Sequence, residues 1–358
     1  MTSERLKEID VLRALAFIFV VVQHTLGGFS NIKGIPYSNF IFMKLMYVMA
    51  KTAVPMFLFI SAVGLFYVYY KKFEWKKYYI KRIKFVLIPY IIWSAINMYK
   101  LGNEDRFKDF FVEIIAGNGA FHLWYMGMVI GLFIIFPAIL WFVRKVHPLS
   151  IEIRTAVFTI FTILYYYVAK YQTSIADAAG KFIFGTPTEV QQRILNISIL
   201  FWYLYFMLGI CFILNYDYLK EKLLKYKILI YICYGLLYIY AFLNETDKID
   251  YIRVVSLLYI IFSITTFYLI SVKLAKNELV YKALKFIGDY SFAAYMAHVI
   301  VVNYMANQIM LDFNTHNYLF TGILTLIITV VLTPVIIKIL SFFPYSEYIT
   351  GVKRSSIE

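Results

Sequence analysis

Residues 11–29 of the chain read VLRALAFIFVVVQHTLGGF, an apolar run in which Arg13 and His24 are the only ionisable side chains. A helix needs about 20 predominantly apolar residues to cross the hydrocarbon core of a bilayer, so this run predicts a transmembrane helix. No small-residue cleavage site follows it, and we therefore interpret the run as a permanent span and not as a removable signal peptide.

Apolar runs of similar length follow one another along the chain, separated by short connectors rich in Lys or in Asn and Asp. Of the 358 residues, 62% are hydrophobic and 16% are charged, whereas soluble domains carry about 25% charged residues. The sequence therefore predicts an all-α, polytopic integral membrane protein, a single transmembrane domain over residues 1–358 with no appended soluble domain. We expect about ten transmembrane helices, at residues 11–29, 52–70, 83–99, 123–143, 155–169, 194–214, 228–243, 252–272, 286–305 and 318–342.

The net charge of +14 invites a nucleic-acid-binding interpretation, which the position of the charges excludes. The Lys and Arg residues concentrate in alternate connectors, as the positive-inside rule requires on the cytoplasmic side of a lipid bilayer. We therefore predict that both termini are cytoplasmic and that the protein is a multi-pass protein of the cell (plasma) membrane. The abundance of Lys, Ile, Tyr and Asn is typical of bacteria with AT-rich genomes. The sequence indicates no metal site, no bound cofactor and no particular oligomeric state.

Ionisable side chains inside a span are costly and are therefore candidate functional groups. At about 100° per residue, the spacing of Arg13 and His24 places both on one helix face, about 16 Å apart along the axis. Asp10 lies one turn before Arg13 and is placed to orient its guanidinium group. A structural interpretation is equally open: Arg13 extends to the cytoplasmic interface, and His24 makes a helix–helix hydrogen bond.

Four further segments accompany the D-x-x-R-x10-H pattern of the first helix. They are VPMFLFISA (residues 54–62), KRIKFVLIPY (81–90), FHLWYMGMVI (121–130) and GDYSFAAYMAH (288–298). In this combination and order, the segments resemble the family-3 membrane acyltransferases, also called the acyltransferase 3 family. They correspond to its second helix with a characteristic serine at Ser61, its basic loop before the third helix, its HLW segment and its G-x-x-S-x-x-x-Y-x-x-H motif.

The resemblance implies a membrane O-acyltransferase. It would move an acetyl or succinyl group from cytoplasmic acyl-coenzyme A, a co-substrate, to a hydroxyl group of an extracytoplasmic glycan or glycolipid. His24 would act as general base or form an acyl-imidazole intermediate, and Arg13, beside Asp10, would hold the donor or balance negative charge. The expected donor-binding residues are Ser61, Lys81, Arg82 and Lys84, and those expected near the acceptor or its cavity are His122, Trp124, Tyr295 and His298.

One segment departs from the family pattern. Many members carry R-x-x-R in the basic loop, whereas here Arg82 fits the first arginine and Phe85 replaces the second. Lys81 and Lys84 could partly substitute for the missing charge. The aromatic residue and the Ile-Pro-Tyr that follows are similar to the branch containing the intercellular adhesion protein of biofilm polysaccharide synthesis. That likeness implies O-succinylation of poly-N-acetylglucosamine.

An exporter or flippase of a carbohydrate or lipid-linked precursor is the alternative function, since it would also need many spans and buried charges. Transporters often consist of two halves with matched broken helices, and no matched pair is visible in this sequence. A helix–helix hydrogen bond is the structural alternative for His298, and an interfacial anchor is the structural alternative for Trp124. No glycine-rich phosphate loop occurs, so the sequence does not support ATP-driven export.

Overall fold

The structure is a computed structural model that describes residues 6–354. Every regular element in this range is a helix and none is a strand, which confirms the predicted all-α fold. Two π-helical turns, Gln23–Gly27 and Ile83–Leu87, continue α1 and join α4 to α5. The α-helices are α1 (Lys7–Val22), α2 (Tyr37–Ala50), α3 (Ala53–Tyr69), α4 (Trp75–Arg82), α5 (Ile88–Lys100), α6 (Phe110–Ile115), α7 (Trp124–Val146), α8 (Ile151–Lys170), α9 (Gln172–Phe184), α10 (Glu189–Asn196), α11 (Tyr203–Leu214), α12 (Tyr216–Lys225), α13 (Lys227–Glu245), α14 (Arg253–Leu274), α15 (Glu278–Asp312), α16 (Tyr318–Leu340) and α17 (Glu347–Thr350).

Within residues 6–354, seven helical segments are long and apolar enough to cross a membrane, which confirms a polytopic membrane protein. The predicted spans 155–169 and 228–243, which are short for a bilayer, lie inside the longer helices α8 and α13. The seven segments are Lys7–Gly27, Tyr37–Tyr69, Phe121–Val146, Ile151–Lys170, Lys227–Glu245, Arg253–Leu274 and Tyr318–Leu340.

Three predicted spans fall outside these seven segments. Residues 83–99 lie in the helical stretch of α4 and α5, which carries several Lys residues, and residues 286–305 lie inside the more polar α15. Residues 194–214 do not form one helix, because the Ser198 hydroxyl accepts a hydrogen bond from the Leu200 amide at 3.3 Å and begins a separate turn. The count of about ten spans and the cytoplasmic side of both termini stay predictions.

Helix α2 lies between the predicted spans 11–29 and 52–70, in a stretch for which the sequence predicts a connector. Ser, Asn and Lys residues interrupt its apolar character, so the sequence has no continuous apolar run here that would predict a span. Two tyrosines from distant helices contact its backbone: the Tyr238 hydroxyl donates to the Leu45 carbonyl at 2.7 Å, and the Tyr259 hydroxyl donates to the Val48 carbonyl at 2.8 Å. Tertiary contacts of this kind stabilise a helix that local pattern does not predict.

The chain divides into two compact units. The first unit comprises the described residues up to Ile60, Asn215–Ser346 and the residues from Val352. Helix α1 lies at its centre and packs against α2, α14, α15 and α16, so that most of its side chains are buried. Gly288 allows α15 to approach α1 closely, because a Cβ at this position would lie 2.8 Å from the Asp10 carbonyl oxygen.

The second unit comprises Ser61–Leu214 and Glu347–Gly351. Pro137 lies inside α7 and cannot donate a backbone hydrogen bond to the carbonyl group of Phe133, one turn earlier. The Tyr78 hydroxyl of α4 donates to that carbonyl at 3.1 Å instead. The proline therefore gives α4 an attachment point on α7, close to the basic segment 81–84.

Candidate active site

His24 lies in the π-helical turn that continues α1. A π-helical turn takes in one residue more than an α-helical turn, and such turns often occur at functional sites. The neighbouring Gln23 side-chain amide donates a hydrogen bond to the Ala50 carbonyl of α2, which fixes the turn against the next helix. The His24 imidazole is therefore carried by a π-helical turn that a hydrogen bond holds against α2, and not by a regular α-helix.

His24 and His298 lie side by side in the first unit. Their ring centres are 5.2 Å apart and their ring planes are inclined by 41°. His298 is fully buried, whereas His24 keeps partial exposure. The ring of Tyr295 lies 5.7 Å from that of His298, and Phe17 of α1 meets the same imidazole edge-on at 6.4 Å. The two imidazoles thus lie in contact among aromatic rings. The His24 imidazole is partly exposed to solvent, and the His298 imidazole is buried.

Arg13 lies near the other end of α1, and its side chain is 35% exposed. Its guanidinium group is 4.0 Å from the carboxylate of Asp10, which is the predicted orienting residue. Asp10 is buried and also accepts a hydrogen bond from the Tyr281 hydroxyl at 3.2 Å. Both carboxylate contacts restrict the direction in which Arg13 can point.

A second buried carboxylate anchors the start of α1. Glu8 accepts hydrogen bonds from Lys220 at 2.6 Å and from the Tyr216 hydroxyl, both of α12. Burial lowers the pKa of Lys220, but the hydrogen bonds to Glu8 and Tyr216 outweigh burial, and the net shift is upward. Lys220 therefore stays charged at neutral pH, and its ion pair fixes the helix that carries Arg13 and His24.

The predicted donor-binding residues have three different surroundings in the second unit. The Arg82 guanidinium lies over aromatic rings, 4.7 Å from the ring centre of Phe133 and 5.2 Å from that of Tyr78. Its Nε is buried and has no hydrogen-bond partner among the described residues. Cation–π contact of this kind holds the planar group in place.

Lys84 and Lys81 flank this arginine in sequence. Lys84 forms an ion pair with Glu347 at 2.9 Å and lies 5.1 Å from the ring centre of Tyr348. Lys81 is exposed. Of the three cations, Lys84 therefore already has a carboxylate partner within the protein, and Lys81 faces outward.

Ser61 and the HLW segment meet in the second unit. The Ser61 hydroxyl lies within hydrogen-bonding reach of the Tyr125 hydroxyl. Tyr125 directly follows Trp124 in the sequence, so two of the motifs identified from the sequence are in contact. His122 is buried, with 2% of its surface exposed.

The loop that leads to His122 is held by Arg193 of α10. The Arg193 guanidinium donates to the carbonyl groups of Ala116 at 3.0 Å, Gly117 at 3.3 Å and Phe121 at 3.4 Å. Gly117 has a φ of 62°, and a Cβ there would lie 2.6 Å from the Trp124 Cα, so only glycine fits. Burial lowers the pKa of Arg193 from its usual high value, yet a guanidinium stays protonated at neutral pH.

Trp124 is half-buried and pairs with a second tryptophan. The ring centres of Trp124 and Trp202 are 5.1 Å apart, with ring planes inclined by 40°. Tyr205 adds a third ring, 6.2 Å from that of Trp202. The three rings form a joint aromatic surface, of which the sequence analysis identified only Trp124.

The structure therefore brings some predicted residues together and separates others. In the first unit Tyr295 and His298 lie beside His24, and Asp10 lies beside Arg13; the other predicted residues belong to the second unit. Sequence reasoning missed Tyr281, Arg193, Trp202 and Glu347, and no local motif could have found them, because each contacts a predicted residue or segment that is distant in the chain. Within residues 6–354, no group of three or more His, Cys, Asp or Glu side chains could hold a metal ion.

Comparison with known proteins gives one match. A family model described as an acyltransferase domain, of the acyltransferase 3 type, matches residues 6–334. This range includes every predicted site residue. No curated protein matches the chain, and no solved structure matches it.

Proposed function

This chain belongs to the acyltransferase 3 family, and from that membership we propose that it transfers an acetyl or succinyl group from cytoplasmic acyl-coenzyme A to a hydroxyl group of an extracytoplasmic glycan or glycolipid. The membrane acyltransferase class follows from the family and from the apolar helices. The observation that most supports the choice of site is the partial exposure of Arg13 and His24 on one face of an otherwise mostly buried helix. The expected location is a bacterial plasma membrane.

The proposed reaction transfers the acyl group in one balanced exchange. His24 takes the proton of the acceptor hydroxyl, and the oxygen attacks the thioester carbonyl carbon. The carbon–sulfur bond then breaks, and the coenzyme A thiolate recovers the proton from His24. In the alternative route, His24 itself attacks the carbonyl carbon and carries the acyl group as an acyl-imidazole until the hydroxyl accepts it. Either route needs an accessible neutral imidazole.

Arg13 is proposed to hold the donor. Its distance from His24 along α1, about 16 Å, is comparable to the reach of a pantetheine arm, so a phosphate at Arg13 would leave the thioester near His24. Over the same distance a unit charge contributes only about 1 kcal/mol at an effective dielectric constant of 20, which is too weak for the oxyanion to depend on it.

The second unit offers separate binding groups for the same reaction class. Lys81, Arg82 and Lys84 form a basic segment, and basic segments attract phosphates by long-range electrostatics. The paired rings of Trp124 and Trp202 are suited to stack against a sugar. We propose donor attraction for the first group and acceptor contact for the second, with Ser61 and His122 as supporting residues.

The decisive experiment measures coenzyme A release by inside-out membrane vesicles that contain the protein. The vesicles are formed with a crude glycan acceptor enclosed in the lumen, which corresponds to the extracytoplasmic side, and acetyl- or succinyl-coenzyme A is then added outside. A thiol reagent reports free coenzyme A. We expect one donor to be consumed by the wild type and by His316→Ala, a control histidine exposed between α15 and α16. His24→Ala should reduce release at least about 100-fold, the lower end of the range for loss of one acid–base group.

Two results would overturn the proposal. Equal release by His24→Ala and the wild type, at matched expression, would remove His24 from the chemistry. Consumption of neither donor, together with uptake or export of a labelled carbohydrate, would favour the transporter alternative. A radiolabel that stays on the protein without acceptor, is released by hydroxylamine or by added acceptor, and is absent from His24→Ala would select the acyl-imidazole route over the general-base route.

A further inference from the structure

The short helix α6 presents apolar side chains outward and its carboxylate inward. Phe111 is 76% exposed, and Val112 and Ile115 are also exposed. Glu113, on the same helix, is only 6% exposed and accepts a hydrogen bond from the Asn118 side-chain amide at 2.6 Å. A helix that borders water shows the opposite arrangement, with polar side chains on its outer face. The arrangement in α6 is the one expected where the outer face meets lipid.

The backbone at the end of α6 is hydrogen-bonded within the protein. A helix leaves its last four carbonyl groups without an intrahelical partner. Here the carbonyl groups of Val112, Glu113 and Ile114 accept hydrogen bonds from amides of the following turn at 2.9, 2.8 and 3.0 Å. The Tyr90 hydroxyl also donates to the Ile114 carbonyl, at 2.5 Å. Because lipid offers no hydrogen bonds, backbone groups in contact with it need partners of this kind.

The turn directly before α6, residues 104–109, has the opposite character. Lys108 and Asp105 form an ion pair at 3.7 Å, and their side chains are 80% and 99% exposed. Glu104 and Asp109 are exposed as well. Charged side chains with this exposure require water around them. The boundary between water and an apolar medium therefore falls between this charged turn and the outer face of α6.

Helix α6 also lies at one end of a spanning segment. The segment Phe121–Val146 is long and apolar enough to cross the membrane, and its exposed side chains, such as Ile134, are apolar. The loop that follows α6 packs on the start of this segment, where a Cβ at Gly117 would lie 2.6 Å from the Trp124 Cα. Helix α6 is therefore held beside the level at which the segment enters the bilayer.

We infer that α6 is an interfacial helix whose partner is the lipid bilayer. Phe111, Val112 and Ile115 contact acyl chains of the leaflet at the Phe121 end of the spanning segment, about 5–10 Å below the headgroup boundary. The turn 104–109 stays in water. This contact goes beyond the proposed reaction, and it adds a membrane-bound element to a stretch for which the sequence predicts a connector. Since α6 leads into the loop that Arg193 holds, the contact also fixes that loop at the membrane surface.

Spin labels on the full-length protein in phospholipid vesicles test the inference. Both native cysteines are replaced by serine, and one nitroxide is attached in each of the variants Asp105→Cys, Phe111→Cys, Ile115→Cys and Ile134→Cys. Oxygen partitions into lipid, whereas a charged nickel chelate stays in water. We expect the ratio of oxygen to nickel accessibility at residues 111 and 115 to be at least about fivefold above that at 105 and within about twofold of that at 134. Ratios at 111 and 115 equal to that at 105 would overturn the inference.

The same labels distinguish lipid from a second copy of this chain. A contact between copies would make residue 111 poorly accessible to both reagents and broaden its spectrum, and an excess of unlabelled protein would remove the broadening. That result would also overturn the inference. If Phe111→Cys does not fold, Val112→Cys replaces it on the same exposed face. The measurement needs no turnover, so its result is independent of whether an acyl donor is consumed.

Discussion

At the scale of single residues, Arg13 and His24 are the ionisable side chains of the apolar run 11–29, and both keep partial exposure on a helix that is otherwise largely buried. Arg13 also has an oriented partner. The Asp10 carboxylate lies 4.0 Å from its guanidinium group and accepts a hydrogen bond from the Tyr281 hydroxyl at 3.2 Å. A guanidinium with an oriented fork binds phosphate in a bidentate manner, which an ammonium group cannot do. The proposed donor-binding role of Arg13 therefore predicts that shape as well as charge matters at this position.

We expect Arg13→Lys to raise the donor KM about tenfold and Arg13→Gln to raise it about 100-fold, because the first loses the fork and the second also loses the charge. The rate at saturating donor should change only a few-fold in both. Coenzyme A release as a function of acyl-coenzyme A concentration measures both parameters.

Lys7→Gln is the matched control, because it removes a positive charge near the same end of α1 from an exposed pair with Glu278 at 3.5 Å. Its donor KM should stay within about twofold of the wild-type value, as surface ion pairs contribute little. An unchanged KM and a collapsed kcat in Arg13→Gln would instead place Arg13 in the chemical step.

The candidate residues of α1 could be predicted from the sequence because charge inside an apolar run is visible locally. Their partners could not. His298 reaches His24 from a helix far along the chain, and Arg193 holds the loop before His122 across a separation of more than 70 residues. Such contacts depend on the packing of whole helices, to which residue type and spacing give no direct access.

At the scale of helices, the close approach of α15 to α1 brings His298 to His24. Gly288 makes the approach possible, and a methyl group there would lie 2.8 Å from the Asp10 carbonyl oxygen, a backbone atom that cannot swing aside. Gly288→Ala should therefore push the helices apart and destabilise the fold by about 1–3 kcal/mol, the usual effect of overpacking. Coenzyme A release should fall with it.

Thermal unfolding in detergent, followed with a thiol-reactive dye, measures the effect, since Cys211 and Cys233 are both free and only half-buried. Gly235→Ala in α13 is the control, because no heavy atom lies within 4 Å of the added Cβ. This variant should keep or raise the apparent Tm, as alanine is the better helix former by about 1 kcal/mol. A Gly288→Ala protein as stable and active as the wild type would show that the two helices do not need this contact.

Long apolar helices were predictable and irregular ones were not. Continuous apolar sequence predicts three of the spanning segments, which are Phe121–Val146, Arg253–Leu274 and Tyr318–Leu340. The sequence does not predict α2, because hydrogen bonds from Tyr238 and Tyr259, which are distant in the chain, stabilise this helix. The sequence predicts one span over residues 194–214, because the turn that begins at Ser198 is short. The two π-helical turns likewise leave no pattern in the residue types.

At the scale of the whole molecule, the parity of the membrane crossings can be tested. Ten crossings place both termini on one side of the membrane, whereas seven place them on opposite sides. The distribution of Lys and Arg favours ten crossings with both termini cytoplasmic, and we expect reporters fused to each end to be active only as cytoplasmic reporters. Reporters on opposite sides would reject the even count.

Cysteine labelling refines the same measurement. After Cys211 and Cys233 are replaced by serine, a single cysteine at Lys222 in α12 should react with an impermeant maleimide only in inside-out vesicles. A single cysteine at Asn314, between α15 and α16, should react only in intact cells or right-side-out vesicles. The reverse pattern would invert the predicted orientation.

The short segment Glu347–Gly351 has a consequence for biosynthesis. It belongs to the second unit, where Trp93 donates its indole hydrogen to the Ile349 carbonyl at 2.9 Å and Lys84 pairs with Glu347, although the residues just before it belong to the first. A ribosome adds about 5–20 residues per second, so Trp93 waits roughly 10–50 s for its partner to emerge. A stop codon after Ser346 would leave nearly all of the first unit in place. It would remove the partners of Trp93 and Lys84 in the second unit, although the helices of that unit are synthesised much earlier.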